Sequence, residues 1–154
     1  MTAEAGRKRV LAVASAGGHF QQLMRMRPGY EAHDVHYITT LPGLADSFGA
    51  SPSRLAPDCN ADRPFRALAC AGAMMWHVLR VRPHVVLTTG ALPGILALVC
   101  GRLVGARTLW IDSVANAEEL SSSGRLARRI AHVTLSQWPA VAEAEGVRFE
   151  GSVL

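Results

Sequence analysis

Short apolar runs recur along the chain, and most of them are followed by a segment with helical patterning. The runs are continuous rather than alternating, which is typical of strands buried on both faces of a parallel sheet. We therefore expect an α/β fold, a Rossmann-like parallel sheet with helices on both faces. The spacing predicts helices at 18–27, 65–82, 93–104, 124–131 and 139–145, and strands at 9–14, 34–40, 84–89, 107–111, 132–136 and 147–150.

The length of 154 residues predicts a single domain over 1–154. Hydrophobic residues make up 49% and charged residues 18%, which excludes an intrinsically disordered chain. Residues 1–8 precede the first strand, and we expect them to be flexible. The segment 41–64 is rich in Pro, Gly, Ser and Asp, and it is predicted to be a long loop that is either functional or mobile.

Cysteine usage and hydropathy indicate a cytoplasmic protein. The three cysteines form no C-x-x-C pair, so neither a disulfide framework nor a metal site is expected. The N-terminus lacks the apolar core of a signal peptide, and no run reaches the roughly 18 apolar residues of a membrane span. The net charge of +4 suits phosphates, nucleic acid or anionic lipid without choosing among them.

The loop that leaves the first predicted strand reads "SAGGH", from Ser15 to His19. Gly17 and Gly18 allow a sharp turn and a close approach of a ligand to the backbone, and the following helix N-terminus favours a phosphate or diphosphate. The dinucleotide fingerprint and the P-loop lysine are both absent, so neither a nicotinamide cofactor nor ATP is expected. His19 is a candidate general base or anion ligand, or else it only packs at the helix start.

Two further loops leave strands at the same predicted edge. Thr89, Gly90 and Gly94 form either a second backbone site for an oxygen-rich ligand or a plain turn in which Pro93 begins the helix. Asp112 directly follows the apolar run "TLWI". Its carboxylate is expected to orient a hydroxyl or a histidine, to act as a base, or to cap the chain without chemistry.

The predicted helix 65–82 is apolar nearly all round, with arginines such as Arg80 and Arg82 at its ends. One interpretation is a buried helix whose arginines reach out to solvent. The other is an interfacial helix that contacts a membrane surface through Met74, Met75 and Trp76. The sequence leaves both open.

Three segments together resemble a known family: "SAGGH", "TTGALPGILALVCGRLVGARTLWIDSVA" and "SQWPAVAEAEGVRFEGSVL". They are similar to the acceptor-side subunit of split GT-B glycosyltransferases. That family includes the membrane-anchoring subunit of the UDP-GlcNAc transferase of N-glycan assembly and bacterial subunits of exopolysaccharide and capsule synthesis. A more distant similarity is to the N-terminal half of the lipid II GlcNAc transferase.

The resemblance implies one half of an inverting, metal-independent GT-B enzyme in exopolysaccharide or glycoconjugate biosynthesis. This half would bind a polyprenyl-diphosphate-linked acceptor on the inner face of the cell membrane, as a peripheral protein. A partner subunit would bind the UDP-sugar donor, and no other cofactor is implied. His19 and then Asp112 are the candidates for base or acceptor positioning. The acceptor and its phosphates would lie against Ser15, Gly17, Gly18, Thr89, Gly90 and Gly94.

Two other functions stay open. The chain is alternatively a non-catalytic scaffold that recruits a transferase to the membrane, or a stand-alone α/β enzyme that binds a phosphate ligand. Nucleic acid is not expected as a partner under any of these hypotheses.

Overall fold

A computed structural model describes residues 6–153 of the chain. Seven parallel strands form one sheet in the order β3-β2-β1-β4-β5-β6-β7. This confirms the predicted Rossmann-like fold. The strands are β1 Arg9–Val13, β2 Asp34–Thr39, β3 Ser53–Leu55, β4 Val85–Thr88, β5 Arg107–Ile111, β6 Val133–Ser136 and β7 Arg148–Phe149. The helices are α1 Gly18–Arg25, α2 Leu44–Ser47, α3 Pro64–Val81, α4 Ala91–Leu103, α5 Ser122–Ile130 and α6 Pro139–Glu145.

The core consists of two layers, one on each face of the sheet. On one face, α3, α4 and α5 pack against strand residues such as Leu11, Val86 and Trp110. On the other face, α1 buries Phe20 and Leu23 against β1 and its neighbours. Because alternate residues of each strand belong to different layers, the strands are apolar on both faces, as their continuous hydrophobic runs predict.

The prediction of a long loop over 41–64 is wrong. That segment contains the single turn α2 and the edge strand β3, which pairs with β2 through Tyr37 and Ser53. The strand has only three residues, is largely exposed and carries polar side chains. It therefore lacks an apolar run of the kind that marks most of the other strands, and its pairing with β2 defines it as a strand.

Smaller differences concern the ends of elements. Helix α1 ends at Arg25 and continues into a short 3₁₀ turn, Arg27–Gly29. Helix α4 begins at Ala91, so Pro93 is its third residue and not its first. Of the N-terminal segment predicted to be flexible, residues 1–5 lie outside the described residues, and residues 6–8 are exposed and irregular.

A histidine links the starts of β5 and β6. The Nδ1 atom of His132 accepts the backbone N–H of Thr108 at 3.1 Å and lies 2.8 Å from the Thr108 hydroxyl. Desolvation, together with the nearby Arg102 and Arg107 guanidinium groups, lowers the pKa of His132 below its ordinary value. The neutral ring is the form that accepts the N–H hydrogen bond, so protonation opposes this contact.

We expect the stability of the fold to decrease as the pH falls below about 6.5, because the unfolded chain then binds a proton at His132 that the folded chain does not. Thermal unfolding between pH 7.5 and 5.5 measures the effect. The variant His132→Asn keeps an acceptor but does not titrate, so its melting temperature should depend less on pH. The control His33→Asn changes a histidine whose ring makes no hydrogen bond among the described residues. An equal pH response of all three proteins would contradict the assignment.

Candidate functional site

The candidate site lies at the carboxyl ends of β1 and β4, two strands that are paired in parallel along their length. Each strand passes into a helix whose N-cap residue is a glycine, Gly17 for α1 and Gly90 for α4. Strand β5 ends beside β4 and passes into the loop that begins at Asp112. All three loops that the sequence singled out therefore leave the same edge of the sheet, where ligands of α/β proteins bind.

The first loop presents unpaired backbone amides. Gly17 adopts φ +80° and ψ −140°, a conformation that favours glycine, and no side chain caps α1. The N–H groups of Gly18, His19 and Phe20 donate to no acceptor within residues 6–153. A Cβ atom built at Gly17 or Gly18 would meet no other atom within 4 Å, so the space above this turn is open. The loop thus has the form of an anion site.

Ser15 precedes this turn and is buried at the end of β1. The next residue, Ala16, donates its backbone N–H to the Thr40 hydroxyl at 3.2 Å. The loop is thereby fixed to the end of β2. The predicted ligand contact of Ser15 stays a prediction.

The structure joins the second loop to the first. The Thr89 hydroxyl donates a hydrogen bond of 2.7 Å to the backbone carbonyl of His19. The His19 ring lies directly against Gly90, where an added Cβ would come within 2.4 Å of the ring atom Nδ1. A glycine is therefore required at position 90 for the ring to occupy this place. His19, Thr89 and Gly90 are thus in contact with one another, and their predicted contact with a ligand stays a prediction.

His19 is half-buried at the second position of α1. Its Nδ1 atom is buried and has no hydrogen-bond partner in the described part of the chain. No protein group there fixes which ring nitrogen carries the proton, so the tautomer is free to follow a bound ligand. A histidine between two loops of this kind can accept a proton from a hydroxyl or donate a hydrogen bond to an anion.

A second helix N-terminus faces the same crevice. Helix α4 also lacks a side-chain cap, and its first residue, Ala91, has φ +65°. Uncapped N-termini carry partial positive charge, and two of them at adjacent strand ends reinforce each other.

Gly94, predicted to contact the acceptor or its phosphates, lies inside a helix rather than in the loop. It is buried in α4, where a Cβ would come within 2.2 Å of the Thr88 hydroxyl, so it allows the helix to pack on β4 rather than contacting a ligand.

Asp112 lies in a closed hydrogen-bond network. Its side chain is buried, and four donors surround its carboxylate. Oδ1 accepts from Trp110 Nε1 at 3.0 Å and from the Ser121 hydroxyl at 2.6 Å, and Oδ2 accepts from Asn116 Nδ2 at 3.1 Å and the Ser121 N–H at 2.9 Å. Ser121 in turn caps α5 by accepting from the Gly124 N–H at 2.8 Å. This geometry favours a positioning role for Asp112 over the predicted role as a base.

Two glutamines that the sequence analysis did not single out hold the third loop in place. Gln22 Nε2 and Gln137 Nε2 both donate to the backbone carbonyl of Asp112, at 3.2 and 2.9 Å. Gln22 Oε1 also accepts the N–H of Val114 at 3.0 Å. The signal in the sequence was the position of Gln22, a polar residue on the apolar side of α1 between Phe20 and Leu23.

The candidate membrane contacts on α3 are placed differently from the prediction. Met74 is fully buried in the core, and Met75 packs partly against it, so the prediction of Met74 as a contact is wrong. Trp76 is 61% exposed, and Arg80 and Arg82 lie at the surface. The exposed stripe at helical spacing consists of Phe65, Leu68, Trp76 and Leu79. Within residues 6–153, no helix is both long and apolar enough to cross a membrane.

The fold is similar to that of the N-terminal half of GT-B enzymes. MurG of Acinetobacter baumannii has the same fold, with a TM-score of 0.68 at 16% identity over 86% of this chain. A UDP-N-acetylglucosamine 2-epimerase from Rickettsia bellii matches 96% of the chain with a TM-score of 0.71 at 12% identity. The chain spans 42% and 46% of these two proteins.

The sequence comparison points to a particular relative. The chain is 26% identical over 168 aligned positions to the UDP-N-acetylglucosamine transferase subunit ALG14 of Eremothecium gossypii, covering 88% of this chain and 75% of that subunit. No family model matches the chain. The predicted resemblance to acceptor-side subunits of split GT-B glycosyltransferases is confirmed as a resemblance.

The closed network predicts that Asp112→Asn destabilises the fold by about 3 kcal/mol, because an amide turns two donor hydrogens toward groups that are themselves donors. Urea unfolding of the isolated chain measures this loss. The exposed Glu118→Gln on the same loop serves as the control and should unfold like the original protein. A stable Asp112→Asn variant would show that the carboxylate is not needed to hold the loop.

Proposed function

We propose that the chain is the acceptor-binding subunit of a UDP-sugar-dependent glycosyltransferase that acts on a polyprenyl-diphosphate-linked acceptor. The observation that carries the proposal is the pair of uncapped helix N-termini, with His19 between them, at the carboxyl edge of the sheet. The similarity to a UDP-N-acetylglucosamine transferase subunit supports the reaction class. The polymer is an exopolysaccharide or another glycoconjugate.

The acceptor diphosphate binds at the first loop. The free N–H groups of Gly18, His19 and Phe20 point from the start of α1, and the open space above Gly17 admits the phosphate oxygens. The net charge of +4 favours such a ligand at longer range. The terminal sugar of the acceptor then lies near His19, since the diphosphate and the ring share one loop.

The chemistry is the transfer of a sugar from UDP to an acceptor hydroxyl. The hydroxyl oxygen attacks the anomeric carbon, a new glycosidic C–O bond forms, and the bond to UDP breaks with its electron pair leaving on the diphosphate. His19 accepts the hydroxyl proton as general base. Attack opposite to the leaving group inverts the anomeric configuration. Asp112 acts indirectly, by holding the third loop and the cap of α5.

The donor is bound mainly by a partner subunit. The chain spans less than half of the solved GT-B structures that it matches, and the part it matches is one Rossmann-like domain. A complete GT-B active site needs a second domain to bind the nucleotide sugar. We expect the isolated chain to be inactive and the pair of subunits to be active.

Peripheral membrane contact through α3 accounts for access to a lipid-linked acceptor on the cytoplasmic face. Residues 63–111 contain six arginines and no acidic residue. The exposed stripe of α3 projects aromatic and aliphatic side chains from this acid-free segment, and Arg80 lies over the Trp76 ring at 5.8 Å. Apolar side chains flanked by arginine are suited to the interface of an anionic bilayer.

Substitution of His19 tests the catalytic role. In the assembled complex, His19→Ala should lower sugar transfer by about a hundredfold or more, because the general base is lost. The melting temperature should change little, since the ring makes no hydrogen bond within the described residues. Gln21→Ala, an exposed position on the same helix turn, is the control. Full activity of His19→Ala would favour the scaffold alternative, and turnover by the isolated chain would favour the stand-alone enzyme.

Vesicle binding tests the membrane surface. The double variant Leu68→Gln/Trp76→Gln should bind vesicles of phosphatidylglycerol and phosphatidylcholine at least about tenfold more weakly, because two exposed apolar side chains no longer enter the bilayer. The original protein should bind pure phosphatidylcholine less well, since the arginines lose their anionic partners. Leu126→Gln, at an exposed apolar position on α5, is the control. Equal binding by all three proteins would contradict the assignment of α3.

A further inference from the structure

A cavity of about 350 Å³ lies at the carboxyl ends of β2 and β3, beside the candidate site. Its walls come from the ends of these two strands and from the segment between them that contains α2. The side chains that matter for its chemistry are those of Thr39, Leu41, Asp46, Ser53 and Leu55. The volume falls within the range of pockets that bind small ligands.

The Thr39 hydroxyl is a buried polar group at the floor of this cavity. Thr39 is 1% exposed, and its Oγ1 atom has no hydrogen-bond partner within residues 6–153. Removing a hydroxyl from water without a partner costs free energy, so buried hydroxyls are nearly always hydrogen-bonded. A ligand that enters the cavity can supply the missing hydrogen bond.

The wall that contains α2 is held in place by the rest of the fold. Ala45 is buried in the core on the α1 side of the sheet. The Arg27 guanidinium donates to the backbone carbonyls of Phe48 and Gly49 at 3.2 and 3.3 Å. The Phe48 ring packs on Phe20 of α1, with a distance of 5.6 Å between ring centroids. The cavity is therefore preorganised, which lowers the free-energy cost of binding.

The lining combines hydrogen-bonding groups with apolar side chains. The Asp46 carboxylate forms no ion pair with any residue in 6–153, and Ser53 adds an exposed hydroxyl. Leu41 and Leu55 are each 49% exposed. A carboxylate accepts hydrogen bonds from neighbouring hydroxyl groups, while aliphatic side chains pack against C–H groups. A neutral sugar ring offers both, with hydroxyls at its edge and C–H groups on its faces.

The charges around the cavity disfavour a phosphate there. Arg54 also lines it, but Arg54 pairs with Ile38 and its Nη1 atom lies 3.2 Å from Nδ1 of His36. The guanidinium is thus directed along β2 toward the amino end of the strand. The Asp46 carboxylate repels an anion. The acceptor diphosphate is therefore better placed at the first loop.

We infer that this cavity binds a neutral sugar of the acceptor glycan, one that does not itself react. The inference rests on the proposed function and names a part of the acceptor. Thr40, the residue after Thr39, accepts the backbone N–H of Ala16 in the first loop at 3.2 Å. The cavity thus adjoins the first loop on the side away from β4, because β2 and β4 flank β1. Strand β3 lies two strand spacings, about 10 Å, from β1, and two linked sugars span that distance.

Amide NMR of the full chain tests the cavity directly. The probes are the methyl glycosides of glucose, galactose, mannose, rhamnose and N-acetylglucosamine. We expect at least one of them to cause saturable shifts at the amides of 41–46 and 53–55. Farnesyl diphosphate should instead shift the amides of Gly18 and His19. An absence of saturable shifts at 41–46 with all five glycosides would overturn the inference, and so would shifts there with farnesyl diphosphate.

Two variants that each remove a buried hydroxyl separate ligand binding from folding. Thr39→Val should weaken glycoside binding by about tenfold, while the melting temperature stays the same or rises, because the hydroxyl has no hydrogen bond to lose within the described chain. Thr134→Val, in β6, removes a hydroxyl that is likewise buried and unpartnered within residues 6–153, and it should leave binding unchanged. Equal glycoside affinity of the two variants would contradict the role of Thr39.

Transferase kinetics separate this inference from the proposed function. The co-purified complex is assayed with radiolabelled UDP-N-acetylglucosamine and other UDP-hexoses, and a lipid extract of host membranes is the acceptor. Asp46→Ala should raise the KM for the acceptor about tenfold and change kcat little, since the carboxylate binds a sugar that does not react. Asp62→Ala, which removes an exposed carboxylate outside the cavity, is the control.

The outcomes of this assay differ for the two proposals. An unchanged KM in Asp46→Ala overturns the sugar site alone. No transfer by the original complex overturns the proposed function, and the glycoside titration then decides by itself whether the cavity binds a sugar.

Discussion

The pairing of β1 with β4 is the constraint on which the site depends. These strands are far apart in sequence, yet they lie side by side and end at the same edge, with Val13 opposite Thr88. The chain leaves them toward helices on opposite faces of the sheet, so the two connecting loops separate and leave a crevice between them. Without this pairing the His19 ring and Gly90 would not meet.

The polar groups at this edge fall into two kinds. The Asp112 groups at the start of the third loop are fully hydrogen-bonded. The carboxylate accepts from four donors, and the backbone carbonyl of the same residue accepts from Gln22 and Gln137. Those of the first loop are unpaired, both the amides that begin α1 and the Nδ1 atom of His19. A rigid network beside a row of free donors is the arrangement that a preorganised anion site requires, because the donors need not move when charge arrives. This contrast supports the proposal that His19 contacts the ligand while Asp112 holds the third loop in place.

Much of the fold could be predicted because most of the strands lie in apolar runs and because helix-length segments separate most of them. The strand that the sequence did not predict, β3, is short, largely exposed and mostly polar, and its pairing with β2 defines it as a strand. The sequence also could not show which face of helix α3 packs against the core. Helix α3 is apolar nearly all round, so its pattern could not show that Met74 faces inward while Phe65 and Leu68 face outward.

The sequence by itself determined the parallel α/β architecture and the three loops that leave its strands, because hydrophobic periodicity and glycine placement are local properties of the chain. Only the tertiary structure decided what each loop residue contacts. It set the His19 ring against Gly90, enclosed Asp112 among four donors, turned Gly94 toward Thr88 and formed the cavity at the carboxyl ends of β2 and β3. Each of these outcomes depends on contacts between residues distant in sequence, and such contacts follow from strand order and crossover handedness rather than from any local pattern.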